Sequence, residues 1–128
     1  MPLEKQDRSL YEILGQTKIE EVIREFYTRV FNDPMIGHFF FNVDQEHITR
    51  QQVIFATGLL GGPRNYRGKP LRAAHSPFPI RPPHFARRQV ILRDVLTDQN
   101  VSHEHIEEWL NLEIQFKSSI LSHNAGCR

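Results

Sequence analysis

Proline placement constrains this chain most. Five of the eight prolines fall between Pro70 and Pro83, and long stretches on either side read as helix. Proline removes a backbone donor and fixes φ, so a regular helix cannot run through that insert. Only Leu71 to Ser76 is free to make a helical turn, and that turn carries His75, just before Ser76-Pro77-Phe78-Pro79. The expected architecture is therefore all-α, interrupted once by a stiff segment bearing an imidazole.

Four longer helices can be read with their ends. The first spans about 18–31, with Ile19, Val22, Ile23, Phe26, Tyr27 and Val30 at the three-and-four spacing of one face. Thr17 and Glu20 have capping-box spacing, and Asn32-Asp33-Pro34 ends the helix. A short helix, Leu10 to Leu14, precedes it. The second spans about 45–60, capped by Asp44, with Ile48, Phe55 and Leu59 on one face and Gln52 among them. Gly61-Gly62-Pro63 terminates it. The third spans about 82–96, with Phe85, Leu92, Val95 and Leu96 facing inward, Val90 and Ile91 alongside, and Arg88 in the middle. The fourth spans about 103–121, capped by Ser102, with Ile106, Trp109, Leu110, Phe116 and Ile120 inward and Glu113 between them. Gln52, Arg88 and Glu113 thus fall on faces that should be core, where an unpartnered polar group is costly. A polar feature inside the bundle is expected.

Composition narrows the function. A chain of 128 residues fits a single domain, 1–128. Sixteen basic against fifteen acidic residues leave a net charge of +1, which makes no electrostatic case for nucleic acid or an acidic membrane. The single cysteine, Cys127, excludes an intrachain disulfide and a cysteine-rich zinc site. No apolar run approaches the ~20 residues of a membrane span, and the first nine residues hold no signal-type apolar stretch. The expected location is cytoplasmic. Nine phenylalanines suit packing around something flat and apolar, though phenylalanine is also ordinary core filler.

A histidine on a short rigid segment suits an axial haem ligand, which needs one neutral imidazole nitrogen held at a fixed position. On residue type alone, with seven histidines present, a structural or solvated role for His75 is the commoner one. The run from Gly61-Gly62-Pro63 through Tyr66-Arg67-Gly68 to His75 resembles the signature of the truncated, two-over-two haemoglobins. Glu25 to Val30 resembles that family's second helix with its distal tyrosine. Phe39-Phe40 is similar to its haem-packing aromatic pair, and Ile80 with His84-Phe85 to the residues after the proximal turn. The similarity covers roughly 9–121.

The resemblance implies a two-over-two globin sandwich around haem b, with His75 as the proximal iron ligand. It makes Tyr27 and Gln52 the distal hydrogen-bonding pair, sets Phe40 against the porphyrin, and puts Ile48 where ordinary globins carry the distal histidine. Phe55, Leu71, Phe78, Ile80 and Phe85 become the apolar lining. The implied ligands are diatomic gases: oxygen, with nitric oxide or carbon monoxide as others. A phenol O–H and an amide N–H would both donate to the partly negative ligand, at ~1 kcal/mol or more each, so losing Tyr27 should speed release by roughly tenfold.

Two residues depart from the family pattern. Arg88 stands where an apolar residue or tryptophan usually lines the haem, and Glu113 points toward the same region. A compensating ion pair between them is expected. The alternatives are a haem-propionate contact, shared with Lys69 and Arg72, or an arginine whose head reaches water. The motifs mix features of two subgroups, so the subgroup stays open. Reversible oxygen binding at the haem is the leading function, with a ligand-sensing or transport module as one rival. Nitric oxide dioxygenase activity with a reductase, and a haem-free helical interaction module, are the others.

Overall fold

The computed structural model describes residues 8–63 and 82–116, and all regular structure among them is helical. Helix α1 is Leu10–Leu14, α2 Gln16–Phe31, α3 Gln45–Leu59, α4 Pro82–Asp98 and α5 His103–Gln115, with a 3₁₀ turn at Gly37–Phe40.

Side-chain caps start three of these helices. Ser9 begins α1 with a reciprocal capping box: Glu12 N donates to Ser9 Oγ at 3.2 Å and Ser9 N to Glu12 Oε1 at 3.1 Å. Asp44 Oδ1 accepts from His47 N at 3.0 Å, and Ser102 Oγ accepts from His105 N at 3.4 Å. Helix α2 departs from expectation. It starts at Gln16, so Thr17 lies inside it and caps nothing. The bend belongs to Gly15 at φ 88°, a conformation that favours glycine, and it joins α1 to α2 directly.

Helix α2 is the centre of the fold. Ile19, Val22, Ile23, Phe26, Tyr27 and Val30 are all buried along one stripe. It packs against α3 and α4, and α4 packs against α5, so α2 and α3 form one pair set over α4 and α5. Helix α1 closes an end by touching α2 and α5.

The glycine pair after α3 serves this closure. Gly61 sits at φ 104°, and a Cβ there would fall 2.5 Å from Ser9 Cβ; a Cβ on Gly62 would fall 2.5 Å from the Tyr11 ring. Tyr11 N donates to Leu60 O at 2.9 Å. Backbone and side chains of the α1 start therefore occupy the space side chains at 61 and 62 would need.

Inward assignments on α5 and α3 are corrected, and of the two residues expected alongside the α4 face only one is buried. Phe116 is exposed, because α5 ends at Gln115 and the helical period no longer carries it. Val90 is exposed while Ile91 is buried, as their one-residue offset around α4 dictates. The buried face of α3 is Ile48, Thr49, Gln52, Val53 and Ala56, leaving Phe55 and Leu59 half-buried at its margin.

Candidate functional site

The three polar residues expected on inner faces are all there. Gln52, Arg88 and Glu113 are 2%, 6% and 3% exposed, which excludes an arginine whose head reaches water. Arg88 Nη1 on α4 donates to Glu113 Oε1 on α5, the ion pair expected from the sequence. Trp109, one turn before Glu113 and wholly buried, donates its indole Nε1 to Glu113 Oε2 at 3.3 Å. The guanidinium lies over the Phe26 ring, 4.8 Å from its centroid. Burial opposes the charge on Arg88, but the Glu113 carboxylate and then Tyr27, within hydrogen-bonding reach, outweigh it and raise its pKa.

Tyr27 is fully buried beside this cluster. Its ring meets Phe26 edge-on at 4.9 Å and Phe40 edge-on at 6.2 Å. Phe40 also packs on Phe31 at 5.3 Å and borders an open concavity of about 710 Å³ that includes Gly37, His38, Phe41 and Val43. Ile48 is fully buried, Phe85 is buried, and Phe39 meets the His84 ring at 4.8 Å. His47 is exposed. Leu71, His75, Phe78 and Ile80, and the propionate candidates Lys69 and Arg72, lie outside the described residues.

Buried polar atoms normally have partners. Among the described residues two side-chain nitrogens do not: Gln52 Nε2 and Arg88 Nε. Both are donors, and both belong to residues expected to face the haem pocket. Tyr27, Phe40 and Ile48 belong to one buried apolar cluster, and a buried amide with no acceptor of its own fits a site completed by a small acceptor ligand.

Sequence reading missed two partners. Trp109 was placed only as core, although its spacing of four from Glu113 puts both on one face. Asp33 was read only as a helix terminator. It accepts backbone donors from Met35 at 3.0 Å and Ile36 at 3.1 Å, and Arg87 on α4 donates Nη2 to its Oδ1 at 2.6 Å. The Arg87 guanidinium, helped by those two N–H groups and opposed by burial, holds the Asp33 carboxyl below its ordinary value.

The family model "Bacterial-like globin" matches residues 9–122. A group 1 truncated hemoglobin of Tetrahymena thermophila is 33% identical over 106 residues, covering 83% of this chain and 88% of that protein. The crystal structure of truncated hemoglobin from Tetrahymena pyriformis, Fe(III) form, superposes with a TM-score of 0.82 at 32% identity, covering 89% of this chain and 98% of that one. The 2/2 hemoglobin from Synechococcus, in the cyanomet state with covalently attached heme, superposes with a TM-score of 0.79 at 29% identity, covering 89% and 98%.

Proposed function

The chain belongs to the bacterial-like globin family, among the truncated haemoglobins, whose members hold haem and bind diatomic gases; from that premise we propose how its own residues do so. His75 is the proximal ligand of a haem b, and residues 1–128 act as one globin unit in the cytoplasm. No described helix is long and apolar enough to cross a membrane. Phe40 would pack against the porphyrin, and Ile48, Phe55, Leu71, Phe78, Ile80 and Phe85 would line it. When bound, the haem would supply an iron able to take up oxygen reversibly.

Tyr27 and Gln52 hold that ligand in place. The Tyr27 O–H and the Gln52 amide N–H both donate toward its partial negative charge. Tyr27, Ile48, Phe40 and Phe85 keep bulk water from competing, and a hydrogen bond is electrostatically stronger in such surroundings. Reversible oxygen binding for transport or storage is the function this serves. One observation carries the reading: Gln52 Nε2 is buried with no protein acceptor, an arrangement that costs free energy unless something else accepts from it.

Oxygen release measured by stopped flow tests the pair. Tyr27→Phe should release oxygen roughly tenfold faster, and Gln52→Leu several-fold faster, at ~1 kcal/mol or more per lost bond. Unchanged rates in both variants would overturn the assignment.

A further inference from the structure

The open concavity of about 710 Å³ lies between the end of α2, the 3₁₀ turn and the start of α3. Tyr27, Ile48 and Gln52 do not line it, so it is not the pocket assigned to the gas. Only Phe40 touches both: it borders the hollow and meets the Tyr27 ring edge-on at 6.2 Å.

Part of the wall is backbone. Gly37 lines the hollow, and a Cβ there would fall 2.9 Å from Phe31 O and 3.1 Å from Val30 O, so the turn lies flush against the carbonyl end of α2. That end carries the negative pole of the helix dipole. Asn32, beside it, turns its Nδ2 onto Thr28 O at 2.8 Å and keeps its amide oxygen as an acceptor. No lysine or arginine is among the lining residues. Asp33 supplies the one carboxylate, and Arg87 with the N–H groups of Met35 and Ile36 already engages it.

Three phenylalanines border the same hollow. The Phe31 and Phe40 rings lie 5.3 Å apart, and Phe41 is 85% exposed. Single exposed apolar side chains are ordinary, but this one stands beside two more rings and the negative end of a helix. Aromatic faces and a negative helix end both attract a weakly hydrated cation.

We propose that this hollow binds a small soluble quaternary ammonium compound, of the trimethylammonium kind, held against Phe31, Phe40 and Phe41 at the carbonyl end of α2. A primary ammonium would bring three N–H donors to satisfy, and the one carboxylate present is taken. A quaternary ammonium has no N–H, and its methyl groups pack on the rings. A phosphocholine headgroup would add a phosphate that no cationic side chain of the lining can meet, so the ligand is a free cation and not a lipid surface.

Choline is the probe. It is titrated into the whole protein at about pH 8, to keep imidazoles neutral, and followed by calorimetry and backbone amide NMR shifts. Saturable shifts should cluster in residues 31–45. The neutral tert-butyl isostere of choline should bind about tenfold or more weakly, and phosphocholine more weakly than choline. Phe41→Leu keeps the apolar bulk without the ring and should lose about threefold or more, whereas Phe41→Trp should bind more tightly. Asn32→Lys puts a fixed cation in the hollow and should weaken choline about tenfold or more. Both positions are exposed, so all three variants should keep the wild-type amide spectrum elsewhere. No saturable shift in residues 31–45 would overturn the proposal. So would equal affinity for the isostere, full affinity in Phe41→Leu, or tighter binding of phosphocholine.

Discussion

Arg88 on α4 and Glu113 on α5 are joined by an ion pair with both side chains buried, and Trp109 Nε1 donates to the second carboxylate oxygen at 3.3 Å. The pair lies where the two-over-two layers meet, under Phe26 of the central helix. Burying two charges is costly, and their mutual attraction together with the indole N–H offsets it. Breaking the pair should therefore cost far more than removing it. Arg88→Ala and Glu113→Ala should each lose about 3–5 kcal/mol, while Arg88→Leu/Glu113→Leu should stay within about 1–2 kcal/mol of wild type. Urea denaturation of the three variants checks this. Additive single losses in the double variant would contradict it.

The turn after α3 makes a prediction about stability with no reference to ligand. At Gly61 alanine meets both the positive φ of 104° and Ser9; at Gly62 it meets the Tyr11 ring. Gly61→Ala should cost at least about 1–3 kcal/mol, the range for a strained backbone position. Gly62→Ala should be rescued in part by Tyr11→Ala, which empties the space. Thermal melts of the single and double variants measure this, and the absence of any coupling between 62 and 11 would contradict it.

Asp33 links α4 to the end of α2 and sets part of the acid behaviour. Its carboxyl is held below its ordinary value by Arg87 first and then by the Ile36 and Met35 N–H groups, against the effect of burial. A lowered folded-state pKa gives stability that is complete above the unfolded value near about 4 and is lost as pH falls through the folded value. Asp33→Asn should thus flatten the fall in stability between about pH 5 and 2. It should also be less stable at pH 7 by about 1–3 kcal/mol, the penalty for poorly satisfied buried donors. An acid limb as steep as wild type would show that other carboxylates govern it.

What was legible in the sequence was chiefly periodic. The α2 stripe, the caps at Asp44 and Ser102, and the inward Gln52, Arg88 and Glu113 follow from spacing within single helices. The Arg88–Glu113 pair was reachable because two charges at core positions must find opposite partners. Relationships between elements were hidden. Nothing local links Gly62 to Tyr11 or Asp33 to Arg87, since those contacts exist only once helices dock. Phe116 misled because periodicity continues past the point where the helix itself stops. Phe55 and Leu59 misled because the true α3 face runs through small and polar side chains, Thr49 and Ala56, rather than the largest apolar ones.

The absorption spectrum of the purified protein, with and without His75, tests the central claim most directly. The account predicts a Soret band in the wild type that shifts on reduction and again with carbon monoxide, and is lost or strongly diminished in His75→Ala. A His75→Ala protein with an unaltered haem spectrum, or a wild type with no Soret band after haem is supplied, would contradict it.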